Sequence, residues 1–317
     1  MMAVRIGETP RTRAGLRAAT RSFVFAPFLL LALAPASPLH AQTRADGELQ
    51  RRCWQQSTEE RTAFDLREPV SVSFSNLHHG YSVRSPVWVE FGIRGMGVVP
   101  ADNPHDKAGH HHILINRPLP TNHREKIPFD DSHRHFGRGQ TGAALDLPPG
   151  RHTLRLLFAD HEHRPHFVFS REITITVTGP RDGRSPRIDA NDFDATCAAW
   201  YQDTLTTPRA LPREVYLKNV RDGEQVTTPW RLSLGSVGYG IAPAGTAVND
   251  TGHFGLTITQ DGNTLARHLW RDGRTETVLD LPLGDVTLVP SLLGADGKPL
   301  LQGDAVRLRV VGRRAGW

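Results

Sequence analysis

Sulfur is nearly missing from these 317 residues, which contain two Cys and three Met. That scarcity excludes an iron–sulfur cluster, a blue-copper ligand set, a cysteine-rich zinc site and a dense disulfide scaffold. Aromatic residues are sparse as well, at 7%. The familiar catalytic signatures are absent: there is no GxSxG, no HExxH, no phosphate loop and no dinucleotide fingerprint. Gly137-Arg138-Gly139-Gln140-Thr141 is glycine-rich, but it precedes a strand pattern rather than a helix, so it makes a poor phosphate cradle. The one long apolar run, Phe23 to Ala36, has 14 residues and two prolines. A bilayer span needs roughly 20.

That run does have a role. Arg5, Arg11, Arg13, Arg17 and Arg21 precede it, and Leu39-His40-Ala41 follows. A basic leader, a short apolar stretch and a small-residue exit make a secretory signal peptide, with cleavage expected after Ala41. The expected location is periplasmic or secreted, with no membrane span after cleavage. Removing residues 1–41 leaves 33 basic against 32 acidic residues, so the excess positive charge of the whole chain is mostly discarded. Nucleic-acid binding loses its compositional support.

The remaining chain contains one pattern twice. Asn76, Gly80, Val83, Pro86, Gly92, Gly95, Gly97, Pro100 and His110 recur 143 residues later as Asn219, Gly223, Val226, Pro229, Gly235, Gly238, Gly240, Pro243 and His253. A second block, including Gly139, Leu145, Pro148 and Gly150, recurs 134 residues later as Gly273, Leu279, Pro282 and Gly284. The second copy has therefore lost nine residues. Short alternating segments such as Val70-Ser71-Val72-Ser73-Phe74 and Ile173-Thr174-Ile175-Thr176-Val177 read as strands with one face on a core. About seven such strands per copy, separated by Gly- and Pro-rich turns, predict an all-β chain of two tandem immunoglobulin-like β-sandwich repeats.

The expected division is a signal peptide (1–41), a polar segment holding Cys53 (42–65), a His-rich repeat (66–180), a linker with Cys197 (181–209) and a second repeat (210–317). Cys53-Trp54 and Cys197 to Trp200 precede equivalent repeats, each expected as a short helix packed on the sandwich it precedes. Export and the even count predict a Cys53–Cys197 disulfide.

Histidine is plentiful: 16 in all, with eleven between His105 and His166. Two residues at i and i+2 on a strand share a face, so His110 with His112, His133 with His135 and His161 with His163 can each present two imidazoles to one ion. His111 then faces the side of Ile113 and Ile115. The second copy keeps the scaffold but loses nearly all these imidazoles together, which favours one shared role in the first. Without soft ligands, that role points to Zn(II), Cu(II), Ni(II) or non-haem Fe(II). At an ordinary imidazole pKa, such binding would weaken steeply from about pH 7.5 to 5.5. His78-His79 reads as a solvated turn.

The segments GHHHILIN, HRHFGRGQT, LPPGRHTLRLLFADHEHRPH and SREITITV, together with Gly95-Met96-Gly97 and Pro100-Ala101, resemble the bacterial domain-of-unknown-function family 4399 over roughly residues 72–177. Residues 215–311 resemble a degenerate member. The resemblance implies an exported bacterial protein with a small β domain and supplies no activity. His110, His111, His112, His133, His135, His163 and His166 match its histidine motifs. The reading is an exported protein whose first repeat binds a transition metal, Zn(II), Cu(II) or Ni(II), through these histidines. Its rivals are a non-catalytic module for cell-envelope carbohydrate or peptide, with Trp88, Phe136 and Phe167 as stacking platforms, and a metalloenzyme of unknown substrate.

Overall fold

The structure, a computed structural model, describes residues 38–65, 67 and 69–315. The expected leader lies outside the described residues, save its last four, which open helix α1 (Pro38–Gln56). Among the described residues no helix is long and apolar enough to cross a membrane.

The first repeat is a two-layer sandwich. One sheet has the order β1 (Ser71–Phe74), β3 (Val87–Arg94), β7 (Gly142–Leu145). The other runs β2 (Ser82–Ser85), β10 (Ile173–Pro180), β8 (Gly150–Ala159), β5 (Ala108–Ile115), β4 (Gly97–Val98), with β6 (His133–Phe136) on β5 and β9 (Pro165–Phe169) on β8. The period-two patterns explain the layers: Val72 and Phe74 of β1, and Ile173, Ile175 and Val177 of β10, are buried on the inner face. β5 is buried along its whole length because its outer face is covered too. Leu119 and Ile127, from the segment joining β5 to β6, pack there on Leu157 and Ala159.

The second repeat has the same strand order. β11 (Glu214–Leu217), β13 (Trp230–Val237) and β17 (Glu276–Leu279) form the small sheet. The large one runs β12 (Glu224–Thr228), β20 (Val306–Arg313), β18 (Gly284–Leu293), β15 (Thr251–Gln260), β14 (Gly240–Ile241), with β16 (Asn263–Leu269) on β15 and β19 (Pro299–Gln302) on β18. The all-β, two-sandwich expectation holds. The length difference also finds its place. β15 and β16 join through Asp261-Gly262, with φ of 50° and 77°, a tight two-residue hairpin turn. The first repeat spans the same gap with the covering segment.

The two repeats share one hydrophobic core. Their contact is nearly two-fold symmetric. Val98 N–H donates to Gly273 O (2.8 Å) and Ile241 N–H to Gly139 O (2.7 Å), positions related by the repeat displacements. A Cβ on Gly97 would lie 1.9 Å from Asp272 O, and one on Gly240 would lie 1.7 Å from Arg138 O. Those glycines recur because two backbones cross there. Lys218 adds an asymmetric link: its buried Nζ donates to Phe91 O (2.7 Å) and Thr141 O (3.0 Å), and burial pushes its pKa down to about 8.

The helices correct one expectation. α2 (Thr58–Thr62) packs on β12 and β13 of the second repeat, while α3 (Phe193–Thr206) packs on β2 and β3 of the first. Each helical segment serves the sandwich it does not precede. Buried polar bonds fix the exchange: Asn76 Nδ2 donates to Leu205 O (2.7 Å), and its equivalent Asn219 Nδ2 donates to Arg61 O (3.1 Å). Arg61 pairs with Glu224, and Asp203 accepts from Arg84 and Arg181. The Cys53–Cys197 disulfide is present and ties α1 to α3, with Cα atoms 5.5 Å apart.

Candidate metal centre

β5 divides its histidines between two faces. His110 and His112 point outward, beneath the covering segment, and neither has any exposed surface. β6 pairs antiparallel with β5 so that His135 stands directly opposite His112. The β8–β9 turn brings His163, and a carboxylate of the turn itself fixes its shape. Asp160 Oδ1 accepts from the backbone N–H of Glu162 (2.9 Å) and Arg164 (2.8 Å), the residues on either side of His163.

These four imidazoles form a cage. His110 Nε2 and His112 Nε2 are 3.0 Å apart. One nitrogen each from His110, His135 and His163 lie within 4.8 Å of one another. Ring centroids are 5.0 Å apart for His110–His135, 5.1 Å for His110–His163 and 4.9 Å for His135–His163. Burial, reinforced by neighbouring imidazoles, pushes the pKa of His110 down to about 3 and that of His112 to about 2. Burial lowers His135 in the same direction. His110 and His112 therefore present neutral nitrogen donors, the form a metal takes. His110 Nδ1, His112 Nδ1 and His135 Nε2 are buried without a hydrogen bond inside the protein. The Nε2 atoms of His110 and His112 already bond each other, so the nitrogen a cation would satisfy is His135 Nε2, buried and unpaired on a ring 5.0 Å from that of His110 and 4.9 Å from that of His163.

Three of the expected residues stand apart. His111 faces the opposite way, because neighbours on a strand alternate; its ring is packed against Phe91 (5.1 Å) and Phe158 (5.0 Å) in the sandwich core. His133 lies beside Leu114, and its Nδ1 is 2.9 Å from Asp130 Oδ1, outside the cage. His166 is stacked at 6.0 Å on Phe158, on the inner face. His78 and His79 sit in the expected turn, where His79 Nδ1 accepts from Thr174 N–H (3.2 Å).

Two contributors escaped the sequence reading. Phe129 is 59% exposed, and its ring lies 4.8 Å from His135, 4.9 Å from His163 and 6.2 Å from His112, capping the cage. The nine-residue length difference was its only signal. Gly137 gives His135 room: a Cβ there would lie 2.2 Å from His135 Cε1 and 2.3 Å from Nε2. In register, the second repeat has His253, Gly255, Leu269 and Gly297 where the first has His110, His112, His135 and His163. One imidazole of four remains.

No curated protein matches the chain. Among solved structures, the fibronectin(III)-like modules of Clostridium thermocellum CbhA are 10% identical, covering 78% of this chain and 97% of theirs, with a TM-score of 0.23. The chicken CNTN1 FN1–FN3 domains are 9% identical, covering 78% and 66%, with a TM-score of 0.21. A Bacteroides ovatus mixed-linkage glucan utilization protein, SGBP-B, in complex with a mixed-linkage heptasaccharide, is 12% identical, covering 74% and 66%, with a TM-score of 0.19. At these scores neither ligand nor partner carries over. Residues 89–178, which hold every member of the cage and its Phe129 cap, match the family described as Domain of unknown function (DUF4399).

Proposed function

We propose that this is an exported metal-binding protein whose first repeat holds one transition-metal ion, with His110, His135 and His163 as ligands. The observation that carries the reading is the convergence of the three imidazoles from β5, β6 and the β8–β9 turn, one nitrogen from each within 4.8 Å of the others. The leader-like residues 1–41 and the disulfide support export. The second repeat acts as structural partner, since it shares the core and receives α2. Calorimetry on the metal-free full chain tests the reading with Zn(II), Cu(II) and Ni(II). Close to one ion per chain is expected, and binding should be lost in the double variant His135→Ala, His163→Ala. No binding by the folded chain, or equal binding by the variant, overturns it.

A second reading, a non-catalytic module for a cell-envelope carbohydrate, rests on Phe167. Trp88 and Phe136 are buried, but Phe167 is 63% exposed and held at φ 55°, an uncommon conformation for a bulky residue. Envelope glycan retained by the full chain but not by Phe167→Ala, with no metal bound, would select that reading.

A further inference from the structure

The proposed metal reading leaves open how many ligands the site supplies and which ion suits it. Four imidazole nitrogens bound to one ion at about 2.0–2.1 Å in tetrahedral geometry would set the ring centroids roughly 5 Å apart and the ligand nitrogens roughly 3.3 Å apart. The six centroid separations among His110, His112, His135 and His163 are 4.9, 5.0, 5.1, 5.0, 6.1 and 4.9 Å. The Nε2 atoms of His110 and His112 are 3.0 Å apart as a hydrogen-bonded pair, a contact that a bound ion would replace at nearly the same spacing. A square-planar set would instead need two diagonals of roughly 6.4 Å. Only the His112–His163 separation, 6.1 Å, comes near that value.

The framework resists flattening. His110 and His112 sit on a strand paired with both β8 and β6. The ring of His135 lies over Gly137, in space a Cβ would fill. His163 holds a backbone φ of 66° in a bonded turn. Among the described residues the atoms within 4.8 Å of one another come from His110, His135 and His163, with no carboxylate. His112 stands just outside that group, its ring 6.1 Å from that of His163, and joins the ion by closing that one gap. Phe129 lies against three of the four rings and occupies the remaining approach.

We infer that the cage is a closed four-imidazole site, with His112 as its fourth ligand, suited to a tetrahedral divalent ion of the Zn(II) class. This rests on the metal reading above and deepens it. Four protein ligands leave no position for a bound water or substrate, which is the pattern of a site that holds its ion. The second repeat lacks three of the four donors and is expected to hold none.

Co(II) is the probe for geometry. Bound to the metal-free full chain, it should show the intense visible absorption of a four-coordinate complex, and Zn(II) should displace it stoichiometrically. His112→Ala should weaken Zn(II) binding at least tenfold and collapse the Co(II) absorption. Phe129→Ala changes only an exposed ring, and it should keep the absorption while speeding Zn(II) loss to excess chelator several-fold. Weak, six-coordinate Co(II) bands with Zn(II) affinity unchanged in His112→Ala would overturn the closed site and leave a three-ligand, open one. Chelator loss unchanged by Phe129→Ala would overturn the cap. A folded chain that binds neither Co(II) nor Zn(II) would sink the metal reading itself.

Discussion

His111→Phe should stabilise the protein, and by more in acid than at neutral pH. His111 is fully buried between Phe91 and Phe158, and its ring nitrogens make no well-formed hydrogen bond. Burial, then the Lys218 charge, holds its pKa well below the ordinary imidazole value, and the Gly92 backbone offsets only part of this. The second repeat has Phe254 at the equivalent position, also fully buried, so the scaffold accepts a phenyl ring there. Below the unfolded pKa near 6.5, the unfolded chain takes up a proton that the folded chain refuses. Stability from this residue is complete above pH 6.5 and is lost as pH falls toward the folded pKa. At pH 5.5 the loss is about 1.4 kcal/mol. The variant removes that loss. It also ends the burial of unpaired polar atoms, a gain of about 1 kcal/mol at any pH. Urea unfolding of the metal-free chain should therefore show the variant ahead by about 1 kcal/mol at pH 7.5 and by roughly 2–2.5 kcal/mol at pH 5.5. A gain that is equal at the two pH values would refute the linkage. A loss at both would refute the claim that the imidazole is a poor fit to its surroundings.

Other outcomes follow from the same geometry. Gly137→Ala should weaken metal binding at least tenfold in a chelator competition while all four imidazoles remain, because the new Cβ would displace the His135 ring. Since burial holds His110 near a pKa of about 3 and His112 near about 2, those two ligands add no proton competition between about pH 7.5 and 5.5. Affinity should therefore fall less steeply over that range than four unperturbed imidazoles would give, and titration at the two pH values decides it. The double variant Cys53→Ala, Cys197→Ala should lose about 2–4 kcal/mol in chemical unfolding. Its metal affinity should stay within about twofold, since the bridge lies between helices rather than at the cage. Residues 66–180 expressed alone lack α3 and the second repeat's share of the core, so gel filtration should find self-associated or unfolded material. A cooperative monomer would refute that dependence.

What the sequence made legible is what depends on local chemistry. Period-two alternation placed Val72, Phe74, Ile173 and Ile175 inward, and the two cysteines had only each other. The displacement of 143 is a statement about equivalence, and equivalence does not say what touches what. Cys53-Trp54 and Cys197 to Trp200 are equivalent, yet each belongs spatially to the other sandwich, because Asn219 binds Arg61 O and Asn76 binds Leu205 O across the exchange. The same gap hid the meaning of the glycines. Gly97, Gly139, Gly240 and Gly273 stand out in the sequence as recurring positions and no more, whereas the structure shows two backbones meeting at them.

The cage follows the same division. Spacing along β5 paired His110 with His112 and turned His111 away, since that is a property of any strand. Matching of motifs had added His111 and His166, which side-chain direction removes from the cage. Spacing had paired His133 with His135, but His133 stands two residues away along β6, opposite Leu114 and bonded to Asp130. His163 is the instructive case, because no periodicity governs a turn. It holds φ 66° where Gly297 of the second repeat holds φ 80°. A side chain in that left-handed conformation costs of order 1 kcal/mol relative to glycine. The repeat without a cage carries the residue the backbone prefers, and the repeat with one carries an imidazole aimed at three others. The cost falls at the one position where relieving it would remove a ligand.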